Sequence, residues 1–354
     1  VRQAAIDHPS IAGTATQSKY SVRREVISVS YDRQQTALAA FVHDPHSINH
    51  VVRQRILNPS FTEPPIADPH QLAIDFDGLA SQLNDRQLEA HDMALQCAVS
   101  LLKGPPGTGK TRTTALIIRS LVALRGRALA CAPSNHAADN LTLACDAIGI
   151  SVLRYLPITR DAAQTSRRLP SRLLVWQNVK VDSELARLRA LRSTSALPAS
   201  QQLRFRELQR EAQHSALDAV DLIVCTCSAA GDPILLGRKF ASLVIDEAAQ
   251  CTEPEAMVPI TTGVRSVLLV GDEAQLSPSV SEPRALAAGL GVSLFERLLT
   301  GGIDSVQLDT QYRMHPAISL FPSERFYSGG LYDGTNTRLR FRPDVTFPWP
   351  CART

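Results

Sequence analysis

The chain has 354 residues, 44% of them hydrophobic and 20% charged, enough for two or three domains with substantial cores. Its net charge of +3 is mild, so attraction for a polyanion must come from local patches; with no apolar span long enough to cross a bilayer and no signal peptide, neither a membrane partner nor a secretory route is expected. The seven cysteines form no Cys-x-x-Cys pair and read as reduced thiols packed as small apolar side chains, as in a cytoplasmic or nuclear protein.

In chain order, Val22, Ile27, Val29 and Tyr31, alternating with Ser28 and Ser30, read as short strands. Leu38 to Val42 reads as another, so a small β-rich module is expected over residues 1–80. His43, His46 and His50 invite a metal reading, but Asp44-Pro45 breaks any helix between the first two and no further ligand has suitable spacing. A solvated loop is the better reading. Residues 58–70, with Pro59, Pro64, Pro65 and Pro69, read as a surface linker.

Regular α/β alternation begins near Leu83. Five apolar runs, Ala98–Leu102, Ala128–Ala132, Leu222–Thr226, Leu243–Asp246 and Val267–Gly271, have the uniform hydrophobicity of parallel strands covered on both faces. A doubly wound α/β domain follows, with its ligands at the strands' C-terminal ends. The first run leads into Gly104, Pro105, Pro106, Gly107, Thr108, Gly109, Lys110 and Thr111, the full phosphate-loop pattern, with Arg112 next in a helix-forming stretch. The glycines let backbone N–H groups turn inward on a phosphate, Lys110 suits the β- and γ-phosphates, and the Thr111 hydroxyl suits Mg²⁺.

Tyr155 to Ser215 is too long for an ordinary crossover and carries eleven Arg or Lys against five Asp or Glu. Leu185, Leu188 and Leu191, then Leu203 and Leu208, suggest two amphipathic helices split by Ala196-Leu197-Pro198. The arginines are either a solvated face or a basic wall beside a nucleic-acid track. After the next apolar strand, Asp246 offers Mg²⁺ a hard oxygen ligand and Glu247 a base that orients or deprotonates water.

Three further stretches are Ala132-Pro133-Ser134-Asn135-His136, Gly271-Asp272-Glu273-Ala274-Gln275 and Gln311-Tyr312-Arg313-Met314-His315-Pro316. Together with Leu83–Gln87 and Asp246–Glu255 they resemble the motif set of superfamily 1 helicases, most closely the Upf-type branch of the nonsense-mediated decay helicase and senataxin. The resemblance covers roughly residues 80–335. It implies a RecA-like P-loop NTPase fold, ATP and Mg²⁺ as cofactors, and single-stranded nucleic acid, RNA before DNA, as partner of a monomer moving 5′ to 3′. It also implies that Gln87 binds the adenine edge and Tyr312 stacks on the base. Gln275 would couple the γ-phosphate to nucleic-acid contact, and Arg313 would act as an arginine finger. Pro133, Ser134, Asn135 and Thr226 would touch the strand's phosphates and sugars, although Ser134-Asn135 also suits a helix cap.

By the same resemblance residues 1–80 are a barrel-like accessory module and linker, 81–154 and 216–302 the first RecA-like lobe, 155–215 an inserted helical subdomain, and 303–354 the start of a second lobe. The family's later Gln-Gly-x-Glu motif has no counterpart, since no glutamine follows Gln311, and the chain opens on Val1. The expectation is a piece of a longer protein that binds Mg-ATP, hydrolyses it feebly and does not unwind a duplex alone. Two other classes stay open: another P-loop ATPase such as an AAA+ remodeller, and a non-catalytic RNA-binding protein derived from a helicase. Intact Lys110, Asp246, Glu247 and Gln275 speak against the second.

Overall fold

The computed structural model describes residues 28–44, 47–63, 66, 78–157, 169–174, 183–194 and 197–334. Seven strands, Val99–Lys103 (β1), Ala128–Ala132 (β2), Val152–Arg154 (β3), Leu222–Thr226 (β4), Ser242–Ile245 (β5), Ser266–Gly271 (β6) and Ser305–Gln307 (β7), form one sheet ordered β3-β4-β2-β5-β6-β1-β7. Every pairing in it is parallel. All five sequence-predicted strands are present. β3 and β7 are additional, each only three residues long.

Because successive strand residues point to opposite faces, each strand feeds two cores. Leu101, Leu129, Ile223, Leu243 and Leu269 pack on one face with the helices Val29–His43, His50–Leu57, Glu253–Ile260 and Leu294–Thr300. Leu102, Ala130, Val224, Val244 and Val270 pack on the other, under Asp85–Gln96, Lys110–Arg125 and Asn135–Ala147. Each fully buried Val, Leu or Ile contributes roughly 1.5–3 kcal/mol. This is the RecA-like, doubly wound P-loop NTPase fold. The chain leaves β1 across the second face towards β2, and returns from β6 across the first face to β7, on the other side of β1. Winding therefore reverses at β1, which opens a crevice at its C-terminal end.

The strand reading of the N-terminal stretch is corrected. Val29 to His43 is one helix, and Leu38 to Val42 is its last part. The alternation misled because Val29 and Tyr31 are 50% and 63% exposed, whereas the residues that face the domain are Arg33, Ala37, Leu38 and Phe41, at helical spacing. Arg33 donates to the Ser228 carbonyl at 2.9 Å and pairs with Asp232 at 2.9 Å, fixing the helix to the end of β4. Val22 and Ile27 lie outside the described residues, as do Pro64, Pro65 and Pro69. His43 ends this helix and His50 begins the next, capped by Asn49; His46 is not described, and no metal-holding cluster occurs among the described residues.

The insertion does hold two helices, Glu184–Thr194 and Ala199–Asp218, with Pro198 opening the second. Leu185, Leu188, Leu197 and Phe205 close a small core of their own, backed by Leu208. Leu191 and Leu203, expected in that stripe, are instead 48% and 61% exposed. Beyond β7, Thr310–Gln311 (β8) and Tyr332–Asp333 (β9) pair in parallel around the helix Pro316–Phe326, a small β-α-β unit outside the main sheet.

Candidate active site

β1 delivers the chain into the phosphate loop, whose first N–H, that of Gly104, donates to the Gly271 carbonyl at the end of β6 over 2.9 Å. A Cβ on Gly104 would lie 2.0 Å from Lys110 Cγ, so the lysine stem crosses directly over this glycine. Gly107 and Gly109 sit at φ +81° and +80°, where only glycine is at ease. Thr108 Oγ1 donates to the Pro105 carbonyl at 2.8 Å and closes the turn. The helix Lys110–Arg125 then starts from Gly109 with no side-chain cap, leaving its first N–H groups for an anion.

A cavity of about 410 Å³ opens here, walled by the loop from Pro105 to Arg112 together with Glu247, Gln275, Tyr312 and Arg313. Asp246, directly after β5, is buried next to Glu247. Its N–H donates to the Cys131 carbonyl at 2.8 Å, and its Oδ1 accepts from Glu247 N at 3.0 Å. Burial, and then the neighbouring Glu247 carboxylate, push the Asp246 carboxyl up to about 7 against the pull of Lys110. Glu247 takes a left-handed φ of +54°, costly for a residue with a side chain. That twist brings Oε1 to 3.8 Å from Lys110 Nζ, while Oε2 accepts from Gln250 Nε2 at 3.0 Å.

On the opposite wall Gln275 Nε2 donates to Asp272 Oδ2 at 2.5 Å, the same oxygen that accepts from Tyr327 Oη at 2.7 Å. Tyr327 follows the helix Pro316–Phe326, so the β8–β9 unit touches the end of the main sheet at this point. Lys103 strengthens the contact, pairing with Glu273 and lying 5.8 Å from the Tyr327 ring centre. The Tyr312 N–H donates to the Gly107 carbonyl at 2.8 Å, and Gln311 Oε1 accepts from the N–H groups of Arg313 and Met314 at 2.9 and 2.7 Å. These bonds hold Arg313 against the phosphate loop.

A family described as an AAA domain matches residues 82–168 and 177–282 of this chain, and a second AAA domain family matches 290–351. The chain belongs to the AAA domain family of the first match. Its curated relatives bear out the Upf-type resemblance. It is 41% identical over 91% of its length to a regulator of nonsense transcripts 1 homolog of Drosophila melanogaster, covering 28% of that protein. To the ATP-dependent helicase NAM7 of Saccharomyces cerevisiae it is 40% identical over 91% of its length, covering 33% of the relative. For the ATP-dependent helicase upf1 of Schizosaccharomyces pombe the figures are 38%, 91% and 36%. The chain thus spans about a third of the length of these relatives. A solved arterivirus nonstructural protein 10 helicase in complex with DNA overlaps 71% of this chain and 44% of its own, with 16% identity and a TM-score of 0.37.

In this AAA domain chain the sequence-predicted site residues fall into two groups. The loop residues from Pro105 to Arg112, with Glu247, Gln275, Tyr312 and Arg313, converge on the cavity; Gly104 lies beneath the Lys110 stem, and Asp246 is buried next to Glu247. Gln87 does not line it. Its Nε2 donates to the Thr108 carbonyl at 3.1 Å and its Oε1 accepts from Asn84 N at 3.1 Å, so the amide ties the phosphate loop to the start of the helix Asp85–Gln96. Each end of the amide keeps a further hydrogen-bonding site, one N–H and one oxygen lone pair. Asn84 and Gln87 form a helix capping box, and the Asn84 amide donates to Tyr312 Oη at 2.9 Å.

Pro133, Ser134, Asn135 and Thr226 gather away from the cavity, at the C-terminal ends of the paired strands β2 and β4, where Ala132 and Thr226 are register partners. Ser134 and Thr226 both cap helices, accepting from Ala137 N at 3.1 Å and Ala229 N at 3.3 Å. Sequence reasoning missed the residue that links this group to β3. Arg154 carries a guanidinium at the end of the short run Val152-Leu153-Arg154, and a charged residue in a strand-like run is the signal that could have drawn notice.

Proposed function

We propose that this chain is the nucleotide-hydrolysing part of an ATP-dependent helicase that moves on single-stranded nucleic acid, RNA in preference to DNA, in the cytoplasm or nucleus. The observation that carries the reading is the composition of one cavity wall, where the phosphate loop and Glu247 meet Gln275 from β6 and Tyr312 and Arg313 from the segment beyond β7. Residues contributed from both sides of a crevice make hydrolysis sensitive to how the two sides close.

The residues fit ATP. The N–H groups of the loop and Lys110 hold the phosphates, and the Tyr312 ring offers a face to the base. The Thr111 hydroxyl and the Asp246 carboxylate would hold Mg²⁺; burial keeps the Asp246 carboxyl protonated up to about 7, and a hard dication beside it would favour the ionised form. The bound ion would supply neutralising charge at the phosphate oxygens. Glu247 orients the attacking water and takes its proton, and Arg313 neutralises charge on the transferred phosphoryl group, giving ADP and phosphate from ATP and water. Gln275, tied through Asp272 to Tyr327, carries the state of the phosphate site to the far side of the crevice.

The test is the ATPase rate of the full-length protein with and without oligouridine. Stimulation by the strand is expected. Glu247→Gln should keep ATP binding while lowering turnover by roughly a hundredfold or more. Turnover indifferent to any single strand, or a Glu247→Gln variant at the parental rate, would contradict the reading.

A further inference from the structure

Arg154 is the bulkiest fully buried side chain among the described residues, at 0% exposure. It stands on β3, at the edge of the sheet, and grips three groups. Nε donates to Asp139 Oδ1 at 2.9 Å, Nη1 to the Tyr155 carbonyl at 2.6 Å, and Nη2 to Asn135 Oδ1 at 2.8 Å. Asn135 and Asp139 are one turn apart on the same helix. Asp139 is buried, whereas Asn135 is exposed. A buried guanidinium needs a carboxylate for charge and acceptors for its other N–H groups, and Asp139 and the Tyr155 carbonyl supply both from within the fold. The third bond also reaches the surface, because it fixes the rotamer of an exposed side chain and turns its amide oxygen inward.

An asparagine whose carbonyl oxygen is turned to a buried arginine directs its NH₂ the other way, towards the outside. Its two neighbours are in the same condition. Ser134 Oγ and Thr226 Oγ1 each accept a helix-capping N–H, which leaves the hydroxyl hydrogens to donate. At the ends of β2 and β4 the chain thus presents a row of hydrogen-bond donors backed by a buried cation. That chemistry fits the anionic oxygens of a phosphodiester backbone and is indifferent to base identity.

Building on the helicase reading above, we infer that Arg154 is a positioning residue for strand binding: it holds the Asn135 amide with its NH₂ outward, so that Ser134, Asn135 and Thr226 together grip backbone phosphates. It touches no nucleic acid itself.

Affinity of the full-length protein for a fluorescein-labelled oligouridine, read by anisotropy, tests this. Asn135→Asp keeps an oxygen for Arg154 and removes the donor; strand affinity should fall by at least about tenfold with no loss of thermal stability, since hydrogen bonds to charged groups are the stronger kind. Arg154→Lys should weaken binding by a similar factor, and adding Asn135→Ala should weaken it no further. On an oligonucleotide with uncharged methylphosphonate linkages, parent and variants should bind alike, a pattern that general loosening of the fold does not give. If Arg154→Lys does not fold, Asn135→Asp decides alone. Parental affinity in Asn135→Asp, or losses from Arg154→Lys and Asn135→Ala that multiply, would overturn the inference and leave the helicase reading standing. A parent protein that binds no strand at all would instead overturn that reading, and this inference with it.

Discussion

Asp246 and Glu247 are adjacent, yet the fold treats them oppositely. Asp246 is buried with Lys110 as the nearby cation that favours its charge, and its carboxyl is held up to about 7 from an ordinary 3.8. The sign of its effect on stability follows. The unfolded chain releases this proton first as pH rises, so no stability is lost below about pH 4; the folded state is then penalised progressively until about pH 7, by up to roughly 4 kcal/mol. Asp246→Asn should therefore melt higher than the parent at pH 7.5, and the gap should close on acidification towards pH 4. A constant gap across that range in thermal melts would mean that Asp246 ionises freely in the fold. The identity of both residues could be read from their place after an apolar strand. What could not be read is the left-handed backbone at Glu247, which brings its carboxylate within reach of Lys110. Gln87 shows the converse. Its position in a motif was legible, but not that its amide ties the phosphate loop to a helix N-terminus, through the Thr108 carbonyl and Asn84 N.

At the scale of elements, the strands that sequence reasoning located are those of at least four residues with apolar side chains on both faces. β3 and β7 escaped because three residues carry too little pattern, and because Arg154 and the polar ends of Ser305-Val306-Gln307 break what there is. The first helix was misread for a different reason: its buried face is narrow, built on Ala37 with Leu38 and Phe41, and the larger side chains Val29 and Tyr31 point to solvent. The insertion shows how tertiary packing divides a set of arginines that look alike in sequence. Arg192 stacks on the Phe205 ring, with its guanidinium carbon 5.2 Å from the ring centre, and Arg189 is partly buried, whereas Arg187 is exposed. Arg187→Glu should then act only on charge, lowering strand affinity most at low salt if this face borders the track. Arg192→Glu should loosen the two-helix unit, with faster hydrogen exchange between Glu184 and Asp218. Equal exchange in both variants would contradict that division.

Across the whole molecule, two groups of polar residues sit at the C-terminal ends of one sheet, on either side of β5. The phosphate cavity lies at β1, next to β6, and the donor row lies at β2 and β4. Asp246 follows β5, and its N–H is bonded to the Cys131 carbonyl of β2, so the shared sheet links the two groups through a packed core. The β8–β9 unit closes the other side through Tyr312, Arg313 and Tyr327. Such an arrangement can convert changes at the γ-phosphate into movement of one body against another while a strand is held. The measurement that reaches this claim most directly is strand displacement by the full-length protein from a labelled duplex with a single-stranded overhang, run beside a Lys110→Ala variant. Release of the labelled strand should require ATP and should be lost in Lys110→Ala. Robust ATP hydrolysis by the parent with no strand released, or release that persists in Lys110→Ala, would contradict it.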